Sequence, residues 1–217
     1  MHKSGTASLA DKGKEFSVNL FEIRLECGII FVKYATKTER THSVRRKEGK
    51  TDMKYASNNI RNILIAGHAG SGKTTLTEAL VYFSGAAERM GRVEDGTTIS
   101  DFDPEEAKRK ASLSASVVPV EYEGIKYNLI DAPGLFDFEA GEYEGIRAAE
   151  SVLVVVSGRS GVTVGAEKAF QLARKNGKAT MVFVSKCDLE NANYFKILED
   201  MKIKFGSTVC PCVVPAK

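Results

Sequence analysis

The chain has 217 residues, 43% of them apolar, enough to fill the core of one good-sized domain with some chain to spare. Its formal net charge of +3 is unevenly held: residues 1–52 carry 11 basic and 7 acidic side chains, the rest 20 and 21. The longest uncharged apolar run in the first sixty residues, 27–32, is far too short to span a membrane and lacks signal-peptide flanks.

The basic excess therefore lies in the first 52 residues, and the body is close to neutral. A basic leader can bind nucleic acid electrostatically, but a simpler reading fits the tract Arg45-Arg46-Lys47-Glu48-Gly49-Lys50. Every residue type in it can be encoded by all-purine codons, and it stands just ahead of Met53. A ribosome-binding sequence read through in frame looks like this, so synthesis is expected to begin at Met53. Residues 1–52 are expected to be a disordered or non-native extension, and no DNA partner is expected.

After residue 60 strand-like and helix-like segments alternate, the pattern of an α/β fold around a mostly parallel sheet. Residues 63–67 read as the first strand and 73 to about 84 as a helix. Between them stands Gly67-His68-Ala69-Gly70-Ser71-Gly72-Lys73-Thr74, which has the form G-x-x-x-x-G-K-S/T. Strand, glycine-rich turn and helix are the context this phosphate-binding loop requires. Its backbone N–H groups make a nest for anionic oxygens at a helix start. Lys73 would reach the β- and γ-phosphates and the Thr74 hydroxyl would sit on Mg²⁺, with Thr75 next to it.

Residues 90–112 are polar and aperiodic, a length of loop that is usually functional or mobile. Two strands, 114–122 and 125–131, follow around the tight Glu123-Gly124 turn, as in a hairpin at a sheet edge. The β-branched run 151–157 reads as a strand covered on both faces. A helix over 165–176 is closed by Gly177. A buried strand at 180–185, a helix over 191–205 closed by Gly206 and a strand-like piece at 208–214 complete the order. The cysteines Cys27, Cys187, Cys210 and Cys212 form no C-x-x-C and do not pair with His2, His42 or His68 at metal-site spacing. They read as reduced thiols of a cytoplasmic protein rather than zinc ligands.

Three further segments carry chemistry. Asp131-Ala132-Pro133-Gly134 is a D-x-x-G at a strand end, about sixty residues past Lys73. The aspartate would hold Mg²⁺ through water and the Gly134 N–H would bond the γ-phosphate, so the turn senses that group. Ser185-Lys186-Cys187-Asp188 resembles the base-reading pattern N-K-x-D. The Asp188 carboxylate can accept from guanine N1–H and the exocyclic amine, a pair adenine lacks, and a site built for such a pair rejects the analogue without it. Lys186 would lay its stem along the base. Arg109-Lys110-Ala111-Ser112 lies in the long polar loop, where Ser112 can supply a second hydroxyl to Mg²⁺. An adenine-specific ATPase or kinase is a competing reading, and Asp188 stands against it.

From Met53 onward the chain resembles the N-terminal part of the GTPase domain of translation elongation factor G. The resemblance rests on I-R-N-I-L-I-A-G-H-A-G-S-G-K-T-T-L-T-E-A-L, V-E-D-G-T-T-I-S-D, Y-N-L-I-D-A-P-G-L-F-D-F and N-Y-F-K-I-L-E-D-M-K. It implies a P-loop GTPase fold with a mostly parallel sheet and helices on both faces, GTP or GDP with Mg²⁺, a monomer and the ribosome as partner. It also implies a domain, 53–217, that is C-terminally incomplete: the family's last base-contacting segment, S-A-L/K, lies beyond residue 217.

The departures concern hydrolysis more than binding. The family has Asp at Gly70, which would weaken an auxiliary cation contact. It has R-G-I-T where Lys110 removes the glycine, and N-K-x-D where Ser185 removes an amide that ties the base loop to the P-loop. At Leu135 the family has the histidine that positions the attacking water. Leucine makes no hydrogen bond, and water positioning with charge stabilisation can be worth on the order of 10³–10⁵ in rate. Two readings follow: a ribosomal GTPase with a low intrinsic rate, or a nucleotide-gated ribosome-binding paralogue, of ribosome-protection or regulatory type, with slow or absent hydrolysis.

Overall fold

The computed structural model describes residues 29–33, 55–190 and 192–213. One mixed sheet organises them. Its strands are β1 (Ile29–Lys33), β2 (Ile60–Ala66), β3 (Ser116–Tyr122), β4 (Ile125–Asp131), β5 (Ser151–Ser157), β6 (Ala179–Ser185) and β7 (Cys210–Pro211), in the order β3-β4-β2-β5-β6-β1-β7. The four central strands β4, β2, β5 and β6 are parallel. β3 runs antiparallel to β4 at one edge, as the hairpin pattern predicts, with Pro119 where a missing ladder donor is tolerated.

Because side chains alternate across the pleat, each central strand feeds two cores. Leu64, Val152, Val154, Val156, Val182 and Val184 pack with Ile146, Phe170, Met201 and Phe205. These come from helices α3 (Ala140–Ala148), α4 (Val164–Lys175) and α5 (Tyr194–Phe205). Phe170 and Phe205 stack with ring centroids 4.3 Å apart. On the other face Ile65, Val155 and Phe183 meet Leu76 and Val81 of α1 (Lys73–Phe83). Both faces of the sheet are covered by helices, in keeping with an α/β P-loop fold. Parallel strands gather their C-terminal ends, so the turns after β2, β4 and β6 meet along one rim.

Four features differ from the expectations. Residues 1–52 are not irregular throughout: Ile29–Lys33 forms β1, antiparallel to β6 with Ile29 opposite Val184 and Lys33 opposite Thr180. A short run of β-branched and aromatic residues suits a strand, and the free edge of β6 offers it a ladder. The proposed start at Met53 lies outside the described residues. The strand-like piece at 208–214 is reduced to Cys210–Pro211, paired with β1. The polar loop contains α2 (Pro104–Arg109), begun by a capping box in which Asp103 and Glu106 exchange side-chain and backbone bonds. Helix α3 escapes the periodicity altogether, since Gly141 and Gly145 interrupt it.

Candidate functional site

The loop after β2 needs its glycines. Gly67, Gly70 and Gly72 all have positive φ, and a Cβ at Gly67 would lie 2.5 Å from the Val155 carbonyl oxygen. Gly72 caps α1, so the amides of the helix's first turn, which a helix leaves without acceptors, open into the loop. Lys73 is buried, and its Nζ donates to the Gly67 and His68 carbonyl oxygens, each at 3.1 Å. Burial lowers its pKa, opposed by the charges of Asp131, Glu142 and Asp101. A cation folded across an anion nest, paired only with carbonyls, is a phosphate-binding arrangement. Ala69 and Ser71 spend their amides inside the protein, on Gly134 O at 3.0 Å and His68 O at 3.2 Å. Thr75 faces solvent.

The turn after β4 closes on this loop. The Ala69–Gly134 bond ties the two, and a Cβ at Gly134 would strike Lys73 Nζ and lie 2.6 Å from the Ala69 nitrogen. Only glycine brings backbone this close to the lysine. Leu135 sits at the rim, 39% exposed, with nothing to offer a water.

Behind Lys73 lies a cluster of hard oxygen donors. Asp131 is fully buried, and neither carboxylate oxygen closes a hydrogen bond among the described residues, although the Thr74 and Ser100 hydroxyls face it. Burial pushes its pKa up to about 6 against the pull of Lys73 and those hydroxyls. Thr74 Oγ1 lies 3.3 Å from Ser112 Oγ, which donates to Asp101 Oδ1 at 2.7 Å. An orphaned buried carboxylate beside two hydroxyls fits a small hard cation that completes its shell with water and substrate phosphate. Among the described residues no three His, Cys, Asp or Glu side chains could hold a metal by themselves. Ser112 is thus brought beside Thr74 and bonded to Asp101.

The turn after β6 corrects one expectation. Ser185 does not untie the base loop: its hydroxyl donates to the Ser71 carbonyl oxygen at 2.5 Å. Lys186, at φ 56, adds a bond from Nζ to Gly70 O at 2.8 Å. A hydroxyl suffices because β6 and the P-loop lie close enough for a short donor. Asp188, also in this turn, is exposed, with its carboxylate free among the described residues.

Sequence reasoning misses three carboxylates here. Asp101 is buried beside Asp131 and Lys73, and burial raises its pKa against the Ser112 bond. Glu78 of α1 is 2% exposed and accepts from Ile99 N at 2.6 Å and Gly91 N at 3.2 Å, pinning the polar loop to the helix. Glu106 accepts from Leu113 N at 2.8 Å and Ser114 N at 3.2 Å, holding the segment that carries Ser112. Only Glu106 leaves a signal, the D-x-x-E spacing from Asp103 behind Pro104.

Residues 58–213 match the family described as the elongation factor Tu GTP binding domain. The chain is 36% identical over 157 residues to the elongation factor G-like protein of Mycobacterium tuberculosis (strain ATCC 25618 / H37Rv), covering 72% of this chain and 22% of that protein. It is 32% identical over 166 residues to the mitochondrial ribosome-releasing factor 2 of Drosophila ananassae, covering 76% of this chain and 22% of the relative. A crystal structure of a Thermus thermophilus protein superimposes with a TM-score of 0.65 at 44% identity, over 68% of this chain and 22% of that one. The chain thus spans about a fifth of the length of the relatives it matches. It belongs to the elongation factor Tu GTP-binding domain family of translational GTPases and is of the elongation factor G-like kind.

Proposed function

We propose that residues 53–217 are the GTP-binding and GTP-hydrolysing domain of an elongation factor G-like translation factor that acts as a monomer on the cytoplasmic ribosome, with residues 1–52 an extension to it. The observation that carries the reading is the union of three turns at one rim: the P-loop, the Asp131–Gly134 turn on Lys73, and the base loop bonded to Ser71. Among the described residues no helix is long and apolar enough to cross a membrane.

In this reading the P-loop amides and Lys73 hold the β- and γ-phosphates, and Asp188 accepts from the guanine edge. The Gly134 N–H points at the γ-phosphate and stabilises charge as it develops there. Thr74, Ser112 and Asp131 would hold Mg²⁺, with Asp101 beside them; the ion would neutralise phosphate charge. Leu135 leaves the water without its family partner, so the intrinsic rate is low. A paralogue with slow or absent hydrolysis is the second reading, and Leu135 favours it. Single-turnover GTP hydrolysis with and without ribosomes separates them. Ribosome stimulation supports the first; intact GTP binding with no stimulation supports the second. Leu135→His should raise turnover if the deficit lies there, and an unchanged rate would remove that argument.

A further inference from the structure

The cleft beside the Gly134–Leu135 turn holds a carboxylate that no motif accounts for. Gly67, Gly134, Leu135, Glu142 and Lys168 are among its lining residues, and it has room for about one water molecule. Glu142 arrives there because α3 rides unusually close. A Cβ at Gly141 would sit 2.9 Å from Pro133 Cδ, and one at Gly145 would sit 2.6 Å from Leu64 Cδ1. The two glycines let the helix settle onto the Asp131–Gly134 turn and β2, and that turns the Glu142 carboxylate toward Lys73.

Of the two cations around it, Lys168 is already matched, while Lys73 is held by backbone carbonyls. Lys168 pairs with Glu139 at 3.9 Å and lies 4.6 Å from the centre of the Phe136 ring. Glu142 faces Lys73 from the P-loop helix, Lys168 from α4 and Glu139 from the start of its own helix. Residues 133–136, on the remaining side, include no charged group. Its carboxylate makes no hydrogen bond or ion pair among the described residues. A half-buried carboxylate with no partner, in a one-water cleft beside the γ-phosphate donor, is placed to hold that water.

We infer that Glu142, reaching in from α3, takes the place left by Leu135 and is the group that orients and deprotonates the attacking water. This rests on the hydrolysis reading above. The water oxygen forms a bond to the γ-phosphorus while the bridging β–γ P–O bond breaks, its electron pair staying on the β-phosphate oxygen of GDP. The water proton passes to the Glu142 carboxylate and is released to solvent as inorganic phosphate leaves. Burial raises the Glu142 pKa to about 7, opposed by Lys73 and Lys168 and reinforced by Glu139, which suits a proton acceptor near neutral pH.

The test compares the full chain with its Glu142→Gln variant in single-turnover GTP hydrolysis, with GDP and GTP affinities measured alongside. Expected is a rate about 100-fold lower with affinities within twofold, and a wild-type rate that rises as pH passes about 7 but is flat in the variant. An unchanged rate in a Glu142→Gln protein that binds GTP overturns the inference while leaving the GTPase reading intact. Should the variant not fold, a pH-independent wild-type rate overturns the inference by itself. No hydrolysis by the wild type, with or without ribosomes, overturns this inference and the hydrolysis reading together.

Discussion

The Ser185 hydroxyl donates to the Ser71 carbonyl at 2.5 Å across 114 residues of chain, joining the loop expected to read the base to the loop expected to hold the phosphates. Ser185 is 8% exposed and Ser71 3%, so water cannot replace the bond. Removing one partner of a buried bond costs about 1–3 kcal/mol. Ser185→Ala should therefore weaken GDP binding about tenfold or more and lower the melting temperature. Calorimetric titration checks the first, and an affinity equal to wild type would mean that the two loops are positioned independently.

Asp131 predicts how the nucleotide-free protein responds to pH. Its folded pKa of about 6 stands above the ordinary 3.8, so the fold binds that proton more tightly than the unfolded chain does. Its stabilising contribution is complete below pH 3.8, declines as pH rises through about 6, and is gone above. Keeping the buried carboxylate ionised costs about 3 kcal/mol. In chelator, Asp131→Asn should melt higher than wild type at about pH 7.5, well above the folded pKa, and show no such decline. With Mg²⁺ and GDP the order should reverse, because the cation needs the charge. Equal melting in chelator would place Asp131 in a wetter environment than its burial indicates.

Much of this site is legible in the amino-acid sequence itself. The P-loop, Asp131 and Gly134 stand in sequence contexts that fix their neighbours, because a parallel strand leaves its following turn at the site. The β-branched strands are equally plain. Helix α3 is not, since Gly141 and Gly145 depress helix propensity and are there for close packing against Pro133 and Leu64. Strand β1 is not, because its partner β6 lies about 150 residues away and nothing local marks a long-range pairing. Glu78 and Asp101 look like any solvated acid until the fold encloses them. The Ser185 tie depends on a distance that only the assembled sheet sets.

Lys110 occupies the C-cap of α2 in the left-handed region, at φ 54. A non-glycine residue there carries roughly 1–2 kcal/mol of strain. Glycine, the residue that elongation factor G has at this place, should relieve most of it. Lys110→Gly is expected to raise the melting temperature by a few degrees, about 2–4 °C per kcal/mol in a domain of this size. A lower melting temperature would show that the lysine side chain contributes more than its backbone costs.

Glu78 is the brace of the polar loop. Glu78→Ala strips the acceptor from the buried Gly91 amide and the part-buried Ile99 amide, at about 1–3 kcal/mol for the buried one left unpaired. The segment 91–100 should become the first site of limited proteolysis, with cleavage accelerated at least about tenfold and the rest of the domain still able to bind GDP. Unchanged cleavage would assign the ordering of that loop to α2 alone.

Whether this rim takes a guanine nucleotide is decided by the pair of dissociation constants for GDP and ADP in Mg²⁺. Two hydrogen bonds from guanine to Asp188 that adenine cannot supply should make GDP bind at least about 100-fold tighter. Asp188→Ala should erase most of that ratio while leaving the P-loop contacts in place. Equal affinity for GDP and ADP in the wild-type chain would mean that the rim does not read guanine.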